Sequence, residues 1–282
     1  PARNVAQLAI DNGIPTKVAF LSQTLAKTLC HDVGQADLLI GNNVLAHVPA
    51  LDDFISALKI LLKPQGVLTM EFPHLLSLIK DNQFDTIYHE HYSYLSLYFV
   101  THAFAEHGLT VFDVDKLKSH GGSLRIFARH RSNHALAVTP RVKTLNEQEL
   151  EFGVNRLDAY GGFSQRVHET KRKLLAFLID KKRSGHSIVG YGAPGKSCTL
   201  LNFCGIGPDF LDYTVDRNRY KQGKLTPGTR IPIEPTERIF QTRPNYVLIL
   251  PWNLVDEITE QMAGIRQWGG RFVVPIPEVK VL

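Results

Sequence analysis

Residues 88–94 read Tyr-His-Glu-His-Tyr-Ser-Tyr, two imidazoles and a carboxylate among three phenols. Histidine is the side chain best poised for general-base work near neutral pH, and a carboxylate beside it can orient it and stabilise its charged form. Tyrosine hydroxyls can donate to an enolate oxygen as it develops. If the segment is extended, alternate side chains share a face. Tyr88, Glu90 and Tyr92 are then expected on one side, and His89 and His91 on the other. Proton abstraction is the chemistry this set suits best. The other readings are a His-x-His metal site and a plain polar loop; no third ligand stands at a metal spacing, so no metal is expected.

Further candidates follow apolar runs. His47 lies in Asn-Asn-Val-Leu-Ala-His-Val-Pro, just past the run Asp37–Ile40, which reads as a buried strand. Ligands of open α/β sheets bind beyond the carboxyl ends of strands, which makes Asn42, Asn43 and His47 candidates. His74 has the same standing after the next strand, Val-Leu-Thr-Met-Glu-Phe. A structural role is the alternative for each lone histidine. Lys-Ser-His-Gly-Gly, residues 118–122, joins two strand-like runs, with Ser123 and Arg125 candidates to face a ligand; a hairpin turn alone also explains the glycines.

Gly-Tyr-Gly-Ala-Pro-Gly-Lys-Ser begins at Gly190, between a strand-like and a helix-like run. Backbone amides of such a turn, with the helix start behind them, suit a phosphate, and Lys196 adds a charge. The Walker pattern fails, but glycines at 190, 192 and 195 match G-x-G-x-x-G. Asp216 ends the next strand, where a dinucleotide site keeps its ribose carboxylate. An NAD-dependent sugar-nucleotide dehydrogenase or epimerase is therefore a rival reading.

The elements that must position these groups alternate between helix and strand, the mark of an α/β chain. Asn4–Asn12 reads as an amphipathic helix stopped by Gly13. Leu51–Gly66 reads as a helix ended by Pro64 and Gly66, and Leu97–Gly108 holds another. Residues 144–184 read as one long connecting helix, broken near Gly161-Gly162. A second α/β block opens at Ser187. Length and composition, 282 residues with 44% apolar and 21% charged, suit about two globular domains. No apolar run reaches the ~20 residues of a membrane span. Three cysteines make a disulfide framework or an all-cysteine zinc site improbable and fit a cytoplasmic setting. The net charge of +5 suits anionic ligands and is too weak and dispersed for nucleic acid.

Several segments together resemble one family: PARNVA..A...GIPT, LLIGNNVLAHVP.L..F, G.L..EFPHL, FDTIYHEHYSYLSL, HGGSLR, GYGA..K and LPWN. They resemble the S-adenosylmethionine (SAM)-dependent sugar C-methyltransferases of deoxysugar biosynthesis, which act on nucleotide-linked 4-keto sugars. The resemblance implies a class I SAM methyltransferase (Rossmann-like) domain lacking its first strand (1–143), a connecting helix (144–184) and a second Rossmann-like α/β domain (185–282). The chain reads as N-terminally truncated: the family's zinc-binding domain, the first strand and the glycine-rich SAM loop are not in it. The resemblance implies that His91 is the base that removes the proton on carbon 3, beside the ketone. Tyr88, Glu90 and His47 match positions lining that site. SAM contacts are expected at Phe20, Gly41, Asn42 and Asn43. The nucleotide-diphosphate sugar is expected against His120, Gly122, Ser123 and Arg125, and against Tyr191, Gly192, Ala193 and Lys196. Zinc is expected only in the domain this chain does not carry, and neither nucleic acid nor membrane is an expected partner.

Overall fold

Two apolar runs linked by a helix make the first βαβ unit. Strand β1 (Ala36–Asn42) and strand β2 (Leu62–Pro73) are parallel, with Leu39 opposite Leu68 and Asn42 opposite Glu71. Helix Leu51–Leu61 is the crossover, and Pro64 and Gly66 lie inside β2, beyond it. Strands β3 (Leu109–Leu117) and β4 (Ser123–His130) complete the sheet in the order β1-β2-β4-β3. Five residues join β3 to β4, too few for a parallel crossover, so the pair is antiparallel. The computed structural model describes residues 2–282.

The chain divides into two units interleaved in sequence. The first comprises residues 1–72, 92–117 and 124–150, and the second residues 73–91, 118–123 and 151–282. The first unit's core runs through Phe72, Phe104, Leu124 and Leu145. Fully burying one such side chain is worth roughly 1.5–3 kcal/mol. Glu149, itself buried, accepts the amides of Leu97 and Tyr98 at 2.8 and 2.7 Å. It thereby caps helix Leu97–Glu106, whose Ser96 caps it a second time.

Strand β1 forms where its apolar run predicts, but it is not buried: Leu38 and Ile40 are exposed. It is the edge strand of the four-stranded sheet, and covering a strand on both faces needs layers on both sides. Helix Arg3–Asp11 likewise forms and buries none of its residues.

The expected long connector is three pieces: helix Pro140–Phe152, a turn of 3₁₀ helix at Leu157–Tyr160, and helix Phe163–Arg183. The second unit's sheet follows. Its strands are β5 (Ile188–Tyr191), β6 (Thr214–Val215), β7 (Ile233–Glu234), β8 (Tyr246–Ile249), β9 (Arg271–Val274) and β10 (Lys280–Val281), in the order β10-β9-β8-β5-β6-β7. All pairs are parallel except the one β10 makes with β9. From β5 the chain first builds outward through β6 and β7, then crosses to β8. The topological switch point therefore lies between β5 and β8, and its carboxyl end is where such sheets hold ligands.

Candidate active site

In the second unit the structure assembles four segments that are far apart in sequence. The tyrosine–histidine segment is not extended; it turns. His91 N–H donates to the Tyr88 carbonyl at 3.0 Å. The two rings therefore meet, 4.3 Å between centroids and 32° apart in plane, instead of lying on opposite faces. A turn brings residues i and i+3 together where a strand would alternate them. His89 and Glu90 are exposed on the turn, while Tyr88 and His91 are half-buried.

His91 Nδ1 lies 2.8 Å from the Thr86 carbonyl oxygen. A carbonyl only accepts, so Nδ1 carries the hydrogen and Nε2 is the proton-accepting nitrogen of the neutral ring. Thr86 ends a turn of 3₁₀ helix, Phe84–Thr86, and its hydroxyl donates to the Gln83 carbonyl at 2.7 Å. Gln83 Nε2 in turn donates to Gly121 O at 2.7 Å. Gly121, at φ +93°, packs so closely on Trp252 that a Cβ there would lie 2.4 Å from its Cη2. The turn carrying His91 is thus tied to the β3–β4 connection.

Trp252 follows β8, and its Nε1 donates to Asp85 Oδ2 at 2.7 Å. Asp85 is fully buried, and burial pushes its carboxyl up to about 6; the Lys196 charge and the Trp252 hydrogen bond, with a pull from nearby backbone amides, act against that rise. Lys196 sits 4.6 Å over the Trp252 ring, a cation–π contact, and donates to Asn253 Oδ1 at 2.7 Å. Burial lowers its pKa, and Asp85 works against that fall. A Cβ on Gly195 would lie 4.0 Å from Tyr88 Cζ, so the start of helix Gly195–Cys204 borders the same cluster.

The glycine-rich turn is partly consumed by its own fold. Gly192, at φ +88°, donates to Val215 O, and Ala193 N–H donates to Asp216 Oδ2 at 2.8 Å. Asp216 Oδ2 also takes Lys221 Nζ at 3.3 Å, and its Oδ1 takes the amide of Asn218 at 2.8 Å. Beside the turn, at the switch point, lies a cavity of about 190 Å³ lined by Tyr191, Pro194, Arg217, Pro251, Leu254 and Gln261, among others. Burial raises the Tyr191 pKa.

The remaining predicted residues fall as follows. Ser123 is buried, and its hydroxyl donates to Ser119 O at 2.9 Å. His120 is exposed in the left-handed region, and Gly122 accepts the amide of His74. In the first unit, Arg125 of β4 pairs with Glu71 of β2 at 2.7 Å. Beyond β1, Asn43 adopts φ +53° and donates its amide to Glu71 O at 2.8 Å. Its buried Oδ1 lacks a hydrogen-bond partner. His47 is half-buried in a turn, Leu45–His47, whose Ala46 carbonyl accepts the amides of Tyr92 and Ser93. Gly41 is buried, Asn42 is exposed and Phe20 is 78% exposed. An unsatisfied acceptor at a strand's carboxyl end suits a ligand that offers donors, and an open aromatic face suits a flat ring. SAM has both, so these residues fit it.

Four participants lay outside the expected set: Gln83, Asp85, Trp252 and Asn253. Trp252 and Asn253 follow the apolar run Tyr246–Leu250, so the strand-end rule that singled out His47 applies equally to them.

The region 118–277 matches a family described as C-methyltransferase C-terminal domain, and residues 9–114 match a methyltransferase domain. C-methyltransferase NovU of Streptomyces niveus is 36% identical over 283 residues, an alignment covering 100% of this chain and 67% of that protein. Among solved structures, an O-methyltransferase family protein from Burkholderia thailandensis aligns with 47% of this chain and 41% of that one, at 17% identity and TM-score 0.33. The magnesium protoporphyrin IX methyltransferase of Synechocystis PCC 6803 aligns with 33% of this chain and 44% of that one, at 18% identity and TM-score 0.27. Scores this low carry no argument; the family matches and the relative aligned along the whole of this chain do. The chain belongs to the SAM-dependent C-methyltransferases, with a class I methyltransferase fold followed by a second Rossmann-like sheet.

Proposed function

We propose that the protein adds a methyl group to the carbon beside the ketone of a nucleotide-linked 4-keto-deoxysugar, with His91 as the base. The carrying observation is the His91–Thr86 hydrogen bond. It fixes the tautomer with Nε2 as base and gives the imidazolium that forms on proton abstraction a carbonyl to lean on. The Tyr88 ring packed on His91 holds it in place, and the Tyr88 hydroxyl is assigned the developing enolate oxygen. Glu90 and His47 are assigned to the lining of the sugar site. SAM, when bound, supplies an electrophilic methyl group, and Phe20, Gly41, Asn42 and Asn43 would hold it.

Lys196 and the helix start at Gly195 are assigned the diphosphate, and the cavity beside Tyr191 has room for a nucleoside ring. The rival dehydrogenase reading assigned Asp216 to a ribose. Both oxygens of Asp216 already accept from the protein's own donors, which favours a structural role for that carboxylate. The setting that goes with this reading is a reducing, cytoplasmic one; no helix among the described residues is long and apolar enough to cross a membrane.

The test is deuterium uptake at carbon 3 of a nucleotide-linked 4-keto-6-deoxy sugar in heavy water without SAM. Uptake that disappears in His91→Ala supports the enolising site. Uptake undiminished in that variant removes His91 from the chemistry. Reduction of a nicotinamide cofactor by a sugar nucleotide would promote the rival.

A further inference from the structure

We propose that Asp85 is a positioning residue for the substrate's diphosphate: it anchors the Trp252 indole and supplies the counter-charge that keeps the Lys196 ammonium on the face of that ring. The proposal rests on the reading of Lys196 as a diphosphate contact. Three links carry it. Asp85 is wholly buried, and its Oδ2 takes the indole N–H at 2.7 Å. The same indole carries the Lys196 ammonium 4.6 Å above its ring. Asp85 Oδ1 has no hydrogen-bond partner, so among the described residues the only side-chain donor on this buried carboxylate is the ring beneath the lysine.

A lone buried carboxylate is costly, and so is a lone buried ammonium. Each offsets the other here: burial raises Asp85 and lowers Lys196, and each charge opposes its partner's shift. Helix Gly195–Cys204 and helix Leu75–Lys80 pack against Phe84–Thr86. Their ionisable groups are Lys196, Cys198, Cys204 and Lys80, and Lys196 is the one whose charge acts on Asp85. The turn Trp252–Leu254 brings no ionisable side chain. Tyr88, His89, Glu90 and His91 follow on Asp85's own loop.

The experiment is calorimetric binding of UDP-glucose and TDP-glucose, whose diphosphate does not titrate between pH 6 and 9. The proteins are the parent, Lys196→Ala, Asp85→Asn and Trp252→Phe. In the parent, affinity falls on an alkaline limb as Lys196 loses its proton. In Asp85→Asn that limb moves down by about one pH unit or more, the size of shift a nearby opposite charge produces. Trp252→Phe keeps a ring under the lysine and takes the only side-chain donor from Asp85, which favours its neutral form, so its limb moves the same way. This second variant carries the test should Asp85→Asn fail to fold. A uniform loss at every pH with the limb unmoved means a merely structural role and overturns the proposal. Lys196→Ala binding as tightly as the parent, or a parent that binds neither probe, overturns the reading of Lys196 and the proposal with it.

Discussion

Both sheets end in a loop rich in polar residues, and the two loops are built in opposite ways. Past β8 and β5, in the second unit, Trp252, Asp85, Lys196, Asn253, Gln83 and Gly121 hold one another through short hydrogen bonds and ring contacts, mostly out of water. In the first unit, Asn42 at the end of β1 and Phe20, ahead of that strand in the chain, are exposed, and Asn43 Oδ1 just past β1 lacks a hydrogen-bond partner. The difference teaches where order comes from. The second unit's groups are placed by the fold before any ligand arrives, which is what an electrostatic site requires. The first unit's groups offer surface that a ligand would have to complete. Variants in the second unit should therefore disturb chemistry or stability sharply, and those at the first unit's exposed candidate residues should disturb affinity alone.

The largest effect belongs to His91, the proposed base. His91→Ala should lower deuterium exchange into a 4-keto sugar nucleotide by about 10²–10⁴-fold, the usual contribution of a general base, with the melting temperature held. A fall within threefold would show that the ordered loop is scaffolding rather than machinery.

Next comes Asp85, through stability. Its folded pKa, about 6, exceeds its ordinary 3.8. The folded state therefore keeps its proton between those values while the unfolded polypeptide gives it up, so stability falls as pH rises from 3.8 through 6 and is level above. The gap is worth roughly 3 kcal/mol. Asp85→Asn removes it, and urea unfolding should show the variant gaining on the parent from pH 4 to pH 6 and keeping the gain at pH 8. A difference independent of pH would mean that the carboxyl is not forced toward neutrality by burial.

Much of this architecture was legible in residue order. The run Ile188–Tyr191, the glycines after it and the helix from Gly195 are local signals, because turns and periodicity are fixed by neighbours. The conformation of Tyr88–Tyr94 was not legible. Alternation of residue types suggested a strand, but the tertiary tie between His91 and Thr86, with the amides of Tyr92 and Ser93 drawn to Ala46, bends the segment into a turn. Leu38 and Ile40 read as buried because apolar composition reports burial only when another layer covers the strand. The link from Asp85 to Trp252 spans 167 residues, a separation at which no periodicity or spacing rule connects two side chains.

The smaller effects sharpen the contrast by direct comparison of the two loops. Gly121→Ala must place a Cβ against the Trp252 ring at positive φ. Backbone strain and overpacking together should cost about 2 kcal/mol, read as a lower urea midpoint with an unchanged slope. Phe20→Ser, at a side chain 78% exposed, should change stability by less than about 0.5 kcal/mol while weakening S-adenosylhomocysteine binding severalfold in a calorimetric titration. The pair is informative because each variant fails differently. Loss of stability in Phe20→Ser would mean that the aromatic ring is already packed in the free protein, and this part of the first unit is then as preordered as the loop past β8. Unchanged affinity in a stable Phe20→Ser protein would leave Asn43, whose buried oxygen still lacks a donor, as the residue to which the cofactor's polar contacts should be traced.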